Sequence, residues 1–394
     1  MKIYIKVTII ALTGLFFVTS CKKTEKTPPN QFTLEGEIQG LKSHFFFRHP
    51  DKEYTRETPP DTIHVVNGKI KFSDTISKLS LIRAYTDYED KDNKIYKKAA
   101  DGGYFPVKSM YLMFFAYPGA HIKIQGEAID FIDAYPSGDA YNNSLAAINR
   151  LTFPNINESA NLMVRATYEK DSVVIEQLQK KAEQIDEKGR QALIEHFREH
   201  PKSLGALWYL EDMIMRGQIE DTVAIDLFNN VSKELSDLSF YKTAETRIQG
   251  IKATAEGMPV PAVKTNATLD GSEFDIASLK GKYVLIDFWG IWCGPCVKEM
   301  PEVKAFQEQY EDQLVVLGIN SGDTKDKIEK FIADNGYNWQ QLMSDRENTP
   351  DNFVTRFNVK GFPTKFIIDP EGKIVKRYVG GGEEAFELLE ELLN

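Results

Sequence analysis

"YVLIDFWGIWCGPC", residues 283 to 296, drives a strongly apolar run into two cysteines set two residues apart, Cys293 and Cys296. Seven residues from Tyr283 to Trp289, bounded by Gly290, read as a buried strand. The segment after the first cysteine carries helical spacing to Tyr310, and Pro295 suits a first helical turn, where no backbone N–H is needed. The pair therefore sits where a strand gives way to a helix. At a helix N-terminus, unpaired N–H groups and the macrodipole favour thiolate over thiol. The strand also delivers the pair to the carboxyl edge of a sheet, where α/β folds place their sites. Gly294 removes side-chain bulk beside the attacking sulfur. A disulfide closing so short a loop constrains the unfolded chain little, so a structural staple explains the pair poorly.

Composition narrows the chemistry. The chain has 394 residues, enough for two or three domains, and a net charge of −10, which offers nucleic acid no basic face. It holds three cysteines, Cys21, Cys293 and Cys296, and six histidines. No second CxxC and no CxxC…HxxxH spacing completes a four-ligand zinc site, so no metal is expected. His196 and His200 share a helix face but lack the HExxH pattern, and they read as exposed helix histidines. Residues 1–20 read as a signal peptide, with Lys2 and Lys6 before the apolar core "VTIIALTGLFFV". That core is shorter than the ~20 residues needed to cross a bilayer.

Three units follow a polar tether at 21–30. Residues 31–133 alternate β-rich segments with turn signals. Asn67-Gly68 marks a hairpin between "TIHVV" and "KIKFS", and Pro118-Gly119 marks another turn, which together predict a small antiparallel sandwich or barrel. The acidic run Asp87 to Lys94 lacks the glycine and distal glutamate of an EF-hand loop and reads as solvated. Residues 134–255 turn helical, with apolar residues at three- and four-residue spacing. Residues 256–394 open on a Pro/Gly-marked join, "EGMPVPAV", and alternate strand and helix. They predict helices after Cys293, over "DTKDKIEKFIADNG" and over "TPDNFVTRFNV". A hairpin around Pro370-Glu371-Gly372 and a closing amphipathic helix complete a mixed sheet covered by helices. The fold class is thus an all-β unit, a helical region and a C-terminal α/β unit.

Several of these segments resemble known families. "VTSC" resembles a bacterial lipoprotein lipobox, which would make Cys21 the lipid attachment site of a membrane-anchored protein in the cell envelope or periplasm. The β-rich unit resembles the domain that precedes thioredoxin modules in exported Bacteroidetes proteins. "WCGPC" is the thioredoxin signature, and its surroundings match as well. Asp287 occupies the position of thioredoxin's buried acid, Pro301 that of the proline that kinks the active-site helix, and "GFPT" (Gly361 to Thr364) that of the cis-proline loop. The region from about Gly257 to Asn394 resembles TlpA/ResA-like thiol–disulfide oxidoreductases and implies a thioredoxin fold.

The resemblance also implies roles. Cys293 attacks a substrate disulfide and Cys296 resolves the mixed disulfide, with no cofactor beyond the couple itself. Asp287, a carboxyl inside an apolar strand with a raised pKa, takes the proton from Cys296. Glu299 matches an active-site glutamate of ResA-type proteins. Trp292, Phe362 and Pro363 shape the substrate groove with Gly294 and Pro295, while Trp289 supports the core. The site departs from both families: Phe362 stands where thioredoxins usually carry Ile or Val, and ResA-type proteins often lack an acid at the position of Asp287. Gly-Pro between the cysteines is associated with reducing members. A reductant in an oxidising compartment needs electrons from an integral-membrane thiol donor of the CcdA/DsbD type. Its clients would be disulfide-containing envelope proteins, with apocytochrome c one candidate. Two other readings stand beside this one: a peroxiredoxin-like thiol peroxidase, against which the "WCGPC" context speaks, and an envelope binding or scaffold protein with a passenger thioredoxin module.

Overall fold

Asn67 and Gly68 both adopt positive φ, 51° and 76°, and close the hairpin that their sequence announces. The computed structural model describes residues 28–53, 58–87, 95–345 and 349–394. The signal segment, Cys21 and most of the acidic run Asp87 to Lys94 lie outside these residues. The N-terminal unit carries β1 (Gln31–Gln39), β2 (Phe45–Phe47), β3 (Asp61–Ile63), β4 (Val65–Val66), β5 (Lys69–Thr75), β6 (Ser80–Ala84), β7 (Leu112–Ala116), β8 (His121–Ala128) and β9 (Ile132–Ser137). One sheet has the order β4-β5-β1-β8-β9; β2–β3 and β6–β7 form the opposing pairs, joined by a bridge between Phe46 and Tyr85. Phe32, Leu34, Phe45, Phe47, Phe114 and Ile122 are fully buried between them.

The sandwich is not wholly antiparallel, because β1 pairs with β8 in parallel. The reason lies in the connection. A hairpin would return the chain antiparallel, whereas here it passes through the opposing pairs and arrives at β8 by a crossover. The turn at Pro118-Gly119, with the Ala120 N–H donating to the Tyr117 carbonyl at 3.0 Å, makes the last corner between the layers.

The helical block comprises α1 (Ala140–Tyr168), α2 (Ser172–Glu199), α3 (Leu204–Met215), α4 (Asp221–Asn230) and α5 (Ser239–Ala253). Because β9 runs to Ser137, the first helix opens slightly later than position 134. Asp139, Asp171 and Ser203 cap α1, α2 and α3 through their side chains. Asn142 fastens α1 to β7: it accepts from the Phe115 N–H at 2.8 Å and donates to the Phe115 carbonyl at 2.9 Å. The apolar helix α3 is buried nearly all round. His196 is half-buried, not exposed, and its ring stacks on that of His200 with centroids 4.1 Å apart.

The C-terminal unit contains β10 (Lys264–Thr265), β11 (Phe274–Asp275), β12 (Tyr283–Trp289), α6 (Gly294–Gln309), β13 (Leu314–Ser321), α7 (Lys325–Asn335), β14 (Gln340–Ser344), α8 (Phe353–Arg356), β15 (Thr364–Ile368), β16 (Ile374–Val379) and α9 (Glu384–Leu393). The sheet order is β14-β13-β12-β15-β16, parallel from β14 to β12 and antiparallel beyond. Separate apolar clusters fill its two faces. Two details differ from the sequence expectation. The third helix shortens to one turn, ending before Asn358 at a φ of 46°. The Pro/Gly-marked join lies along the β15–β16 hairpin, where the Gly257 and Val260 N–H groups donate to the Ile374 and Gly372 carbonyls and the Ile374 N–H donates to the Met258 carbonyl, at 2.8–2.9 Å.

Helix α5 docks on the C-terminal unit at Gly250, where a Cβ would lie 2.6 Å from the Arg356 carbonyl oxygen and 3.1 Å from the Asn358 nitrogen. Gly250→Val is expected to destabilise the protein by about 1–3 kcal/mol through overpacking. Urea unfolding reads that loss, and limited proteolysis should show faster cleavage in the 254–263 join.

Candidate functional site

Strand β12 ends at Trp289, and Cys293 caps α6 four residues later with extended backbone angles. The Cys296 N–H points at the Cys293 sulfur at 3.2 Å, so a helix-end donor is already directed at that atom. The two cysteines form a disulfide with their Cα atoms 5.3 Å apart. In this oxidised state both are buried, Cys293 at 5% exposure and Cys296 at 1%, among Trp289, Met300 and Val303. The solvent-facing neighbour is Trp292, at 46%.

Trp292 is held rather than loose. Its indole N–H donates to the Ser321 carbonyl at 2.8 Å, and its ring meets Phe362 edge-on at 5.1 Å. The Phe362–Pro363 peptide is cis, and the Pro363 carbonyl accepts the Gly380 N–H at 2.8 Å. Beside Gly294 the space is open, since a Cβ there would meet nothing within 4 Å. Pro295 lies in the first turn of α6, and Pro301 sits inside that helix. Trp289 is fully buried and donates to Gln341 at 2.9 Å, as a core support should.

Asp323 is a site residue that sequence reasoning did not single out. Its carboxylate accepts the Ile291 N–H at 2.7 Å and the Asn320 amide at 3.0 Å, fixing the loop that presents the cysteines. The signal was available: "NSGD" (Asn320 to Asp323) is a polar turn at the carboxyl end of β13, beside the end of β12.

Asp287 shares the face of β12 with Leu285 and Trp289, which pack in the same cluster as the two cysteines, and a group of charges is buried there. Asp287 lies directly opposite Lys365 in the antiparallel β12–β15 register. The Lys365 ammonium is 3.6 Å from Asp287 Oδ1 and 2.5 Å from Glu299 Oε2. Side-chain exposure is 3% for Lys365, 3% for Asp287 and 14% for Glu299, so the ion pairs lie in a largely water-excluded space. Burial pushes the Asp287 carboxyl up from its ordinary value of 3.8; nearby Lys365 opposes this and Glu299 reinforces it. Lys365 was also missed. Its signal is a lone cation inside the apolar strand "TKFII", two residues after Pro363. Among the described residues, no group of three or more His, Cys, Asp and Glu side chains is placed to hold a metal.

Residues 255–393 match the Redoxin family. The thiol-disulfide oxidoreductase ResA of Bacillus subtilis is 32% identical over 132 residues, covering 33% of this chain and 71% of that protein. ResA of Geobacillus kaustophilus is 36% identical over 114 residues, 29% of this chain and 63% of that protein. The solved thioredoxin domain of a thiol-disulfide oxidoreductase from Bacteroides vulgatus is 28% identical, with a TM-score of 0.32 over 36% of this chain and 99% of that one.

Asp287 makes stability depend on pH in a stated direction. Its native carboxyl titrates above the unfolded one, so the native state binds more protons and stability falls as pH rises from about 3.8 through the raised native value. Asp287→Asn removes that loss. The oxidised variant is expected to be more stable than the parent at pH 8 by about 1–3 kcal/mol, the cost of an incompletely compensated buried group. The gain should fade by pH 4, as thermal melts of both proteins across that range will show.

Proposed function

This chain belongs to the ResA-like, thioredoxin-fold family of thiol–disulfide oxidoreductases, and we propose that Cys293 and Cys296 reduce protein disulfides outside the cytoplasm. The observation that carries this reading is the Cys293 sulfur at the amino end of α6, already facing the Cys296 N–H. A reduced sulfur held there is favoured as the thiolate, the form that attacks disulfides.

The Cys293 thiolate attacks one sulfur of the client disulfide; the client S–S bond breaks and its other sulfur leaves as a thiolate, which water protonates. Cys296 yields its proton to Asp287 and attacks the Cys293 sulfur. The Cys293–Cys296 bond forms, the mixed disulfide breaks, and the second client sulfur departs. Two electrons have moved from the enzyme dithiol to the client. Trp292, next to Cys293 and in ring contact with Phe362, forms with Phe362, Pro363 and the open space over Gly294 the surface against which the client backbone lies.

Regeneration requires a dithiol donor. An integral-membrane donor of the CcdA/DsbD type meets that need for a protein exported by residues 1–20 and anchored through a lipid on Cys21. Disulfide-containing envelope proteins are the clients, apocytochrome c among the candidates.

Cys296→Ser is expected to accumulate mixed disulfides with clients through Cys293, resolved on non-reducing gels and released by dithiothreitol. Cys293→Ser should accumulate none, and either variant should bring insulin reduction down to the uncatalysed rate. Equal trapping by both variants would reject the assignment of the attacking sulfur.

A further inference from the structure

Two carboxyl groups and one ammonium are joined in a buried cluster, and their connectivity is specific. Glu299 stands three residues after Cys296 on α6, on the same helical face. One of its oxygens takes the Lys365 ammonium at 2.5 Å and the other the Gly382 N–H at 2.9 Å, so the carboxylate is held from both sides. Lys365 reaches it from β15, directly opposite Asp287 on β12. One ammonium thus bridges an acid on the central strand and an acid on the helix of the resolving cysteine. Its contact with Glu299 is the shorter by about 1 Å.

We infer that Lys365 is the positioning residue of the couple: its shorter contact goes to Glu299 and leaves Asp287 as the carboxyl that accepts the Cys296 proton. The inference rests on the proposed reduction chemistry and deepens it. With both carboxylates ionised, the buried cluster carries one negative charge in excess of the single ammonium. A proton arriving at Asp287 brings the cluster to neutrality, the state that a low-dielectric site favours. Lys365 therefore decides which acid takes the proton and how readily, although it touches no substrate.

The other groups around Asp287 do not replace it. From α6 come Glu299 and, one turn further, the more exposed Glu302, whose carboxyl is pushed up by partial burial and by Glu383 and Glu299. β13 presents uncharged Gly318 in register with Asp287. From α9, the Phe386 ring lies 5.7 Å from the Lys365 ammonium.

The test reads the Asp287 carboxyl directly, in the oxidised full chain, where the two sulfurs do not titrate. Its carbon-13 resonance is identified by its loss in Asp287→Asn and followed across pH. Lys365→Met should move the midpoint up by about 1–3 pH units, the effect of removing a close opposite charge. Glu299→Gln should move it down, because a negative neighbour is lost and the ammonium is free to turn to Asp287. Lys365→Arg, which keeps the charge, should restore a midpoint near the parent's and also shows that position 365 tolerates replacement. A residue that merely packed would leave the midpoint in place. Unmoved midpoints, or movement in the same direction for Lys365→Met and Glu299→Gln, would overturn the inference. Since the measurement needs no client and no turnover, its failure is distinct from failure of disulfide reduction, which the trapping experiment reads.

Discussion

Everything in the C-terminal unit is referred to one element, the seven-residue strand β12. It is flanked by β13 on one side and β15 on the other and is buried along nearly its whole length. A strand in that position cannot slip, because a shift of one residue would exchange the faces of every side chain and put Asp287 among Phe288's apolar neighbours. Fixing β12 fixes where the chain leaves the sheet, and hence where Cys293 caps α6. The place of the Cys293 sulfur is set by the register of a strand whose one contribution to the proposed chemistry is Asp287.

The same strand explains why the site tolerates so much buried charge. Removing a carboxylate from water is costly, and one ion pair rarely offsets the loss fully. Here the compensation is divided. Glu299 receives the ammonium and a backbone N–H, whereas Asp287 receives only the longer end of the contact. The division is uneven: one carboxylate is met from both sides, while the other, whose carboxyl burial pushes up, is met by the longer contact, an arrangement that suits the proposed proton transfer to Asp287. A fully satisfied pair of carboxylates would make a more stable cluster and a poorer proton acceptor.

Much of this was legible in the residues. "YVLIDFW", "LVVLGIN" and the hairpin around Gly372 announce themselves through apolar runs and turn chemistry, and "WCGPC" locates the pair. β14 was not legible, because "QQLMS" is a short, polar-rich stretch at the sheet edge, where pairing with β13 rather than side-chain pattern makes the strand. The parallel β1–β8 pairing was hidden for a different reason: strand direction depends on a crossover between layers, which alternation of side chains does not encode. Lys365 acts through Asp287 and Glu299, 78 and 66 residues away, and Asp323 reaches the cysteine loop through Ile291, 32 residues away, so local pattern marks them as no more than a stray charge and a turn residue.

The helical block bears on the site through the chain that leads into it. Asp221, the first residue of α4, takes the Lys360 ammonium at 2.7 Å and faces Arg377 of β16 at 3.8 Å. α5 packs its Gly250 against the backbone at Arg356 and Asn358, immediately upstream. Lys360 stands two residues before Phe362, and Gly361 follows it directly. Beyond β15, the 257–260 join hydrogen-bonds to Gly372 and Ile374. The Phe362–Pro363 wall and Lys365 therefore lie on a segment held at both ends by residues N-terminal to the redox unit's own sheet. An isolated thioredoxin module would have to hold that segment with its own contacts alone. In this chain the position of the ammonium relative to its two acids depends in part on how the helices dock.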